Sequence, residues 1–239
     1  MEVTFKIIRL DCVDSTMTAA LGRPAGTVVV AEEQTAGQGR LGRSWHSPRR
    51  AGLYCSIVLD MPQPAPVLTL ALGLAAKDAI ERTAAVPGDL RWPNDVLIGD
   101  RKVAGVLVQL HDTTVIAGIG INVSHAGFPP DLAPLATSLR LATGREHSRE
   151  LLLANLLDAV ETYTALLAAE GPDAILRLFA QSSTYVAGRR VIVDNTLGIT
   201  DGLDPSGFLW LRTPDGRRTL IRAGNVRPVT AKSTATPTP

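Results

Sequence analysis

Cysteine is nearly absent from this 239-residue chain, with only Cys12 and Cys55, far apart in sequence. That usage fits free thiols in a reducing cytoplasm better than a disulfide scaffold. No apolar run approaches the roughly 18 residues needed to span a bilayer, and Met1 to Asp11 carries Glu2, Lys6 and Arg9 where a signal peptide would be apolar. The reading is therefore no membrane segment and a cytoplasmic location. The four histidines (His46, His111, His125, His147) show no metal-ligand spacing, and His147 with Glu150 reads as helix surface, so no dedicated metal site is expected. Neither G-x-x-x-x-G-K-[ST] nor G-x-S-x-G occurs, which removes a P-loop and a nucleophile elbow. No internal repeat is visible. A net charge of +1 gives no general reason to bind nucleic acid, so any anion recognition must be local.

What is present is a normal apolar fraction, 45%, in a chain long enough to bury a large core. One stretch breaks the charge balance. No Asp or Glu lies between Gln34 and Leu59, while Arg40, Arg43, Arg49 and Arg50 do. Within it, Gly37, Gly39 and Gly42 alternate with Arg40 and Arg43, and Trp45 follows. Glycine lets backbone approach a ligand closely, and arginine offers a fork of donors to phosphate or carboxylate. The segment reads as an anion-binding loop. Gly37 to Gly42 also matches G-x-G-x-x-G, with Asp60 about twenty residues on, as in dinucleotide sites. Those glycines should open a helix, and Arg43 to Pro48 has no helical period, so that reading fails.

Around the loop the pattern alternates between strands and helices. Strands are expected over Val3–Leu10, Thr27–Glu33, Gly52–Leu59, Arg101–Gln109 and Val115–Val123, and Leu90–Leu97 reads as a strand entering a Pro-Asn-Asp turn. Asp14, Ser15 and Thr16 should cap a short helix from Met17. Pro62, Pro64 and Pro66 break the chain before a helix over Val67–Arg82, and the longest helix should run from His147 to Glu170, with a shorter one to about Ala180. Gly118 and Gly120 suggest close backbone approach to something on one face of their strand. From Gly188 short β runs (Arg190–Val193, Phe208–Thr213, Arg217–Ile221, Val226–Val229) separated by turns suggest a small antiparallel barrel. A Thr-, Ala- and Pro-rich tail from Thr230 is expected to be disordered.

The polar residues left over are Arg40, Arg43, Lys102, Asn94 and Asn122, with Ser15, Thr16 and Gln34 as neutral donors and acceptors. Cations that stabilise an α-phosphate beside neutral groups that orient an uncharged partner suggest adenylate chemistry, with Trp45 placed to stack on a base.

Four segments in order sharpen this: Glu33 to Trp45, Trp92-Pro93-Asn94-Asp95, Arg101-Lys102-Val103-Ala104-Gly105 and Gly118-Ile119-Gly120-Ile121-Asn122. Together they resemble the biotin protein ligase family, over nearly the whole chain. The resemblance implies an α/β (α+β) fold: a mixed β-sheet with helices, like class II aminoacyl-tRNA synthetases and lipoate ligases, plus an SH3-like barrel. It implies a catalytic domain over 1–185, the barrel over 186–230 and a tail over 231–239. It also implies the activity: biotin and Mg2+-ATP give biotinyl-5′-AMP, and biotin then passes to a lysine of a biotin carboxyl carrier domain. Carried over by motif, Ser15, Thr16, Gln34, Gly37, Gln38, Gly39, Arg40, Lys102 and Gly105 would bind biotin. Arg40, Arg43, Trp45, Asn94 and Asn122 would bind the nucleotide, and Arg40 and Lys102 would be catalytic. No DNA-binding element is expected ahead of the first strand, and the resemblance admits a homodimer.

Two residues depart from the family pattern. Gln38 stands where an arginine is usual, and Met17 where a small polar residue is. The alternatives are lipoate or octanoate transfer, and a catalytically inactive biotin-binding module.

Overall fold

The computed structural model describes residues 5–60, 66–111 and 114–229. The expected disordered tail, Pro62, Pro64 and the first residues of the expected opening strand lie outside them.

A seven-stranded mixed sheet forms the body. In chain order its strands are β1 (Lys6–Leu10), β2 (Thr27–Ala31), β3 (Gly52–Leu59), β4 (Asp89–Arg91), β5 (Asp95–Ile98), β6 (Arg101–His111) and β7 (Thr114–Asn122). Their spatial order is β1-β2-β3-β7-β6-β5-β4. β1 runs parallel to β2, and every other neighbouring pair is antiparallel. Leu90–Leu97, expected as a strand entering a Pro-Asn-Asp turn, forms a hairpin: β4 enters a turn through Trp92-Pro93-Asn94, and β5 begins at Asp95.

The period of two along a strand sorts the side chains. Leu53, Cys55, Ile57 and Leu59 on β3, with Ala117, Ile119 and Ile121 on β7, face the helix layer and join the main core. That layer contains α2 (Pro66–Ala84), α4 (Arg149–Glu170) and α5 (Pro172–Gln181), and the short α3 (Leu139–Thr143) precedes α4 in the chain. Burial pushes the Cys55 thiol up to about 12, so it stays a protonated, inert filler, and both cysteines are free. The even-numbered residues Tyr54, Ser56, Gly118, Gly120 and Asn122 lie on the opposite face. There α1 (Thr16–Ala19) packs a small second cluster of Met17, Ala20, Val29, Val58 and Ile116.

Pro66 begins α2 rather than only breaking the chain, as a proline at a first helical position can. α4 starts at Arg149, with Ser148 as its cap, two residues later than expected. By length and composition α4 could cross a membrane. Its stripe of Leu152, Leu153, Leu156, Leu157 and Val160 is instead buried in the core that α2 shares.

After α5 comes a five-stranded antiparallel sheet of β8 (Ala187–Val193), β9 (Thr196–Leu203), β10 (Leu209–Arg212), β11 (Arg218–Ile221) and β12 (Val226–Pro228), in the order β11-β10-β9-β8-β12. β9 was not expected, because Gly198 and Gly202 interrupt its apolar pattern. This sheet is not a detached unit: Val191, Val193, Leu209, Leu211 and Val226 belong to the same buried cluster as α2. At the junction Trp92, 2% exposed, donates its Nε1–H to the Gly207 carbonyl at 2.9 Å.

Trp92→Phe keeps an aromatic ring there but removes that donor and leaves the Gly207 carbonyl without it. It is expected to cost about 1–3 kcal/mol in chemical denaturation; an unchanged midpoint would remove this bond from the junction.

Candidate functional site

The glycine–arginine loop after β2 folds on itself as a tight hairpin. Trp45 N–H donates to Gly37 O at 2.8 Å, and Gly39 N–H to Arg43 O at 2.7 Å. Only one 3-10 turn, Arg40–Gly42, interrupts it, with Leu41 left-handed at φ 58°, ψ 38°. The absence of a dinucleotide-type helix is therefore a structural fact as well as an expectation. A Cβ on Gly37 would stand 2.7 Å from both Ser47 Oγ and Trp45 O, so this position has no room for any side chain.

The loop is held to the body by a chain of polar side chains. Ser56 donates to Thr16 Oγ1 at 2.8 Å. Thr16 presents both its N–H (2.8 Å) and its hydroxyl (3.1 Å) to Gln34 Oε1. Gln34 Nε2 donates to Ser47 Oγ at 2.8 Å, and Ser47 donates to Trp45 O at 3.0 Å. Ser15 caps α1 by accepting from Met17 N–H. Ser47 and Ser56 were not singled out from sequence, since an isolated serine in a strand or loop has no distinguishing pattern.

On the sheet face beneath, Gly105, Gly118 and Gly120 form a floor without side chains. A Cβ at Gly120 would meet Trp45 Nε1 at 2.4 Å, and one at Gly118 would meet Met17 Sδ at 2.6 Å. The close approach expected at these glycines is real, and what approaches is the chain's own Trp45 and Met17. The Trp45 Nε1–H is buried with no acceptor among the described residues.

Two recesses meet at this floor. The inner one, about 50 Å³, is lined by Ser15, Thr16, Gln34, Gln38 and Gly118 among others. The outer one, about 920 Å³, takes in Arg43, Asn122 and residues of the second sheet. Arg40, Trp45, Asn94 and Lys102 line both and form the partition. Roughly 300–1,000 Å³ is typical of small-molecule sites, so the outer recess is of ligand size while Trp45 and its loop nearly close the inner one.

Charge at the partition is arranged around Asp95, which sequence reading quoted only as part of a motif. Its carboxylate is 8% exposed and pairs with Lys102 Nζ at 2.6 Å and Arg91 at 2.7 Å. Burial alone would raise its pKa; the charges of Lys102 and Arg91 outweigh burial and hold it below 3.8. Lys102 Nζ also lies 5.1 Å from the centre of the Trp45 ring. Its backbone is clamped: Lys102 N–H donates to Leu135 O at 2.8 Å, and Thr137 N–H to Lys102 O at 2.9 Å. Arg40 donates to Asn94 Oδ1 at 3.1 Å, and Asn94 is fixed by giving its amide to Val106 O at 2.9 Å. Burial lowers the Arg40 pKa, Asp95 opposes this, and the group remains a cation at neutral pH. Asn122, 4% exposed, gives its amide to Thr137 O at 3.0 Å, bracing the segment that clamps Lys102. Arg43 is exposed on the outer recess.

Apart from Gly37, which lies inside the hairpin, the candidate binding residues all line one or both recesses, whereas Arg49 and Arg50 of the acid-free stretch pair with Asp11 and Glu32 instead. Among the described residues no group of three or more metal-ligating side chains occurs. The arrangement can hold a carboxylate and a phosphate side by side at Lys102 and Arg40, with neutral hydrogen-bonding groups on one side and a roomy cationic recess on the other.

Comparison with known proteins agrees. Residues 10–125 match the model of the Biotin/lipoate A/B protein ligase family. A biotin–[acetyl-CoA-carboxylase] ligase of Mycobacterium tuberculosis is 36% identical over 213 residues, covering 84% of this chain and 78% of that protein. One from Paracoccus denitrificans is 33% identical, covering 88% and 95%. The chain spans 66% of the length of a Bacillus spizizenii bifunctional ligase/repressor, at 34% identity over 84% of its own length. The structure of the Aquifex aeolicus biotin protein ligase with biotin and ATP superposes with a TM-score of 0.85 at 32% identity, covering 93% of this chain and 99% of that one.

Asp95→Asn would leave Lys102 and Arg91 facing a neutral amide in a buried site. A loss of about 3–5 kcal/mol at neutral pH is expected in chemical denaturation. The sign with pH follows from the depressed carboxyl. Its contribution is present above its ordinary 3.8 and is lost as pH falls through the lower folded-state value. The Asp95→Asn variant should therefore flatten the acid limb of the stability curve, and an acid limb identical to wild type would exclude Asp95 as its source.

Proposed function

The chain belongs to the biotin protein ligase family, and on that premise we propose that it is an ATP-dependent ligase that biotinylates a lysine of a biotin carboxyl carrier domain. The observation that carries this reading is the partition: a lysine and an arginine stand between a small neutral recess and a large cationic one. Biotin's ring would enter the inner recess, against Ser15, Thr16 and Gln34, once Trp45 and its loop yield space. ATP, arriving with Mg2+, would occupy the outer recess near Arg43, Trp45 and Asn122.

In the first step a biotin carboxylate oxygen attacks the α-phosphorus. The P–O bond to the β-phosphate breaks and pyrophosphate leaves. Lys102 and Arg40 neutralise the two anions that must approach each other, and charge-assisted donors set at that point lower the barrier. Asp95 fixes the direction of the Lys102 side chain. In the second step the deprotonated acceptor amine attacks the acyl carbon, an amide C–N bond forms, and AMP leaves. Nothing here needs a side-chain nucleophile. The mixed anhydride needs protection from water, which a closed Gly37–Trp45 hairpin would supply. The two free cysteines support a reducing, cytoplasmic setting for this reaction.

Incubation with labelled biotin, Mg2+-ATP and an apo carrier domain should label one carrier lysine and release one pyrophosphate per biotin. No pyrophosphate with biotin, but release with lipoate or octanoate, would move the substrate to those acids; none with any would leave a binding module. Arg40→Gly opens the partition between the recesses, and the adenylate is expected to escape and label bystander proteins. Unaltered selectivity in that variant would remove the retention role of Arg40.

A further inference from the structure

Two side chains rest on the glycine floor, and the reading above uses only one of them. Trp45 covers Gly120, and Met17 covers Gly118, two residues earlier on β7. Met17 is 4% exposed and lines the inner recess. It also belongs to the second apolar cluster, with Ala20, Val29, Val58 and Ile116. None of those four lines the recess. Among the buried members of that cluster, Met17 alone meets whatever enters.

The strand pairing beneath explains its place. Ser56 on β3 pairs with Gly118 on β7. Thr16 stands over the first, accepting from the Ser56 hydroxyl at 2.8 Å. Met17 stands over the second, where a Cβ would come 2.6 Å from its Sδ and 3.2 Å from its Cγ. One step across the sheet thus takes the recess from hydrogen-bonding groups to a thioether. The Met17 backbone is fixed: its N–H donates to Ser15 Oγ at 3.2 Å, and the Thr16 N–H before it donates to Gln34 Oε1 at 2.8 Å. Only the side chain can adjust, and methionine, unbranched with three rotatable bonds, fills irregular space well. With about 50 Å³ open in the recess, the end of the Met17 side chain sets much of what fits.

We infer that Met17 is a specificity-determining residue: its thioether walls the Gly118 end of the inner recess and admits only an acid whose ring is apolar and compact there. This rests on the proposed ligase reading, in which biotin enters that recess. Biotin's bicycle fuses a hydrogen-bonding urea edge to a thioether ring that has no strong donor or acceptor. With the urea against Ser15, Thr16 and Gln34, the sulfur ring falls one strand further, over Gly118 and against Met17. Biotin sulfone keeps the urea and the carboxylate but carries two oxygens on that sulfur. Met17 has no donor for them, and burying polar atoms unpaired is costly.

The test uses the full chain with biotin and biotin sulfone as probes. Titration calorimetry without ATP should show wild type preferring biotin. Met17→Ala should lower that preference about tenfold, the scale of a small change in an apolar pocket. Met17→Gln, of similar length, brings an amide donor to the sulfone and should lower it too. Met17→Leu keeps the volume and the apolar surface and should hold the wild-type preference. In turnover the KM for ATP should stay the same throughout, while kcat/KM for biotin against the sulfone follows the binding ratio. Val58→Ala opens the same cluster away from the recess, so it reports lost packing alone and should leave the preference unchanged. Equal preference in wild type, Met17→Ala and Met17→Gln overturns the inference. So does an equal shift in Val58→Ala, which would mark a structural role, and so does a wild type that binds no biotin. Because the preference is read without ATP, a wild type that shows it through Met17 yet releases no pyrophosphate with biotin would refute the ligase reading and leave this assignment standing.

Discussion

One buried carboxylate governs the geometry of the whole site. Asp95 accepts two cations at once, and those cations reach into different parts of the molecule. Lys102 stands on β6 at the partition between the recesses. Arg91 stands on β4, 6.0 Å from the centre of the Tyr185 ring at the entry to the second sheet. Arg189 of that sheet covers the same ring at 4.8 Å. Without Asp95, two largely covered cations would repel each other where the hairpin of β4 and β5 meets β6. A buried ion pair is weak evidence for stability as such. Here its value is directional, because it aims an ammonium at one point and links that aim to the docking of a second sheet.

The other constraint is a floor with no side chains. Strand alternation sends the odd residues of β3 and β7 to the helix layer and leaves glycines on the facing side at 118 and 120. Those positions tolerate nothing larger, because Met17 and Trp45 already rest on them. On the proposed ligase reading, the indole occupies ground that a ligand would share. Its Nε1–H has no acceptor there among the described residues, and an unpaired buried donor costs roughly 1–3 kcal/mol. The position of the loop is thus held by packing at a polar penalty, which suits the opening that the proposed reaction would require of it.

Much of this was legible in the sequence because its signals are local. Glycine-arginine alternation, an acid-free window and apolar periods of two or three to four residues depend only on neighbours in the chain. They located the loop, most strands and both long helices. What escaped depends on partners distant in sequence. Asp95 looks like a turn residue until β6 brings Lys102 beside it. Ser47 and Ser56 become meaningful only once Gln34 and Thr16 lie between them. β9 was hidden by Gly198 and Gly202, since strand pairing can impose extension where local propensity opposes it. The occupants of the glycine floor were invisible for the same reason.

The serine–threonine–glutamine chain has a polarity that its distances imply. A backbone N–H can only donate, so the oxygen of Gln34 must face Thr16 and its amide cannot be turned around. Thr16's hydroxyl then donates to the same oxygen, Ser56 must donate to Thr16, and Ser47 gives its proton to the Trp45 carbonyl. Every arrow in the chain is fixed by one peptide group at the start of a helix. Among the described residues two hydrogens of this chain have no acceptor: that of the Ser15 hydroxyl, whose oxygen accepts from Met17, and the second on Gln34's amide. The inner recess therefore greets an entrant with a set order of lone pairs and protons, decided before it arrives. On the proposed ligase reading, a guest would be selected there by whether its own donors and acceptors run in the complementary order.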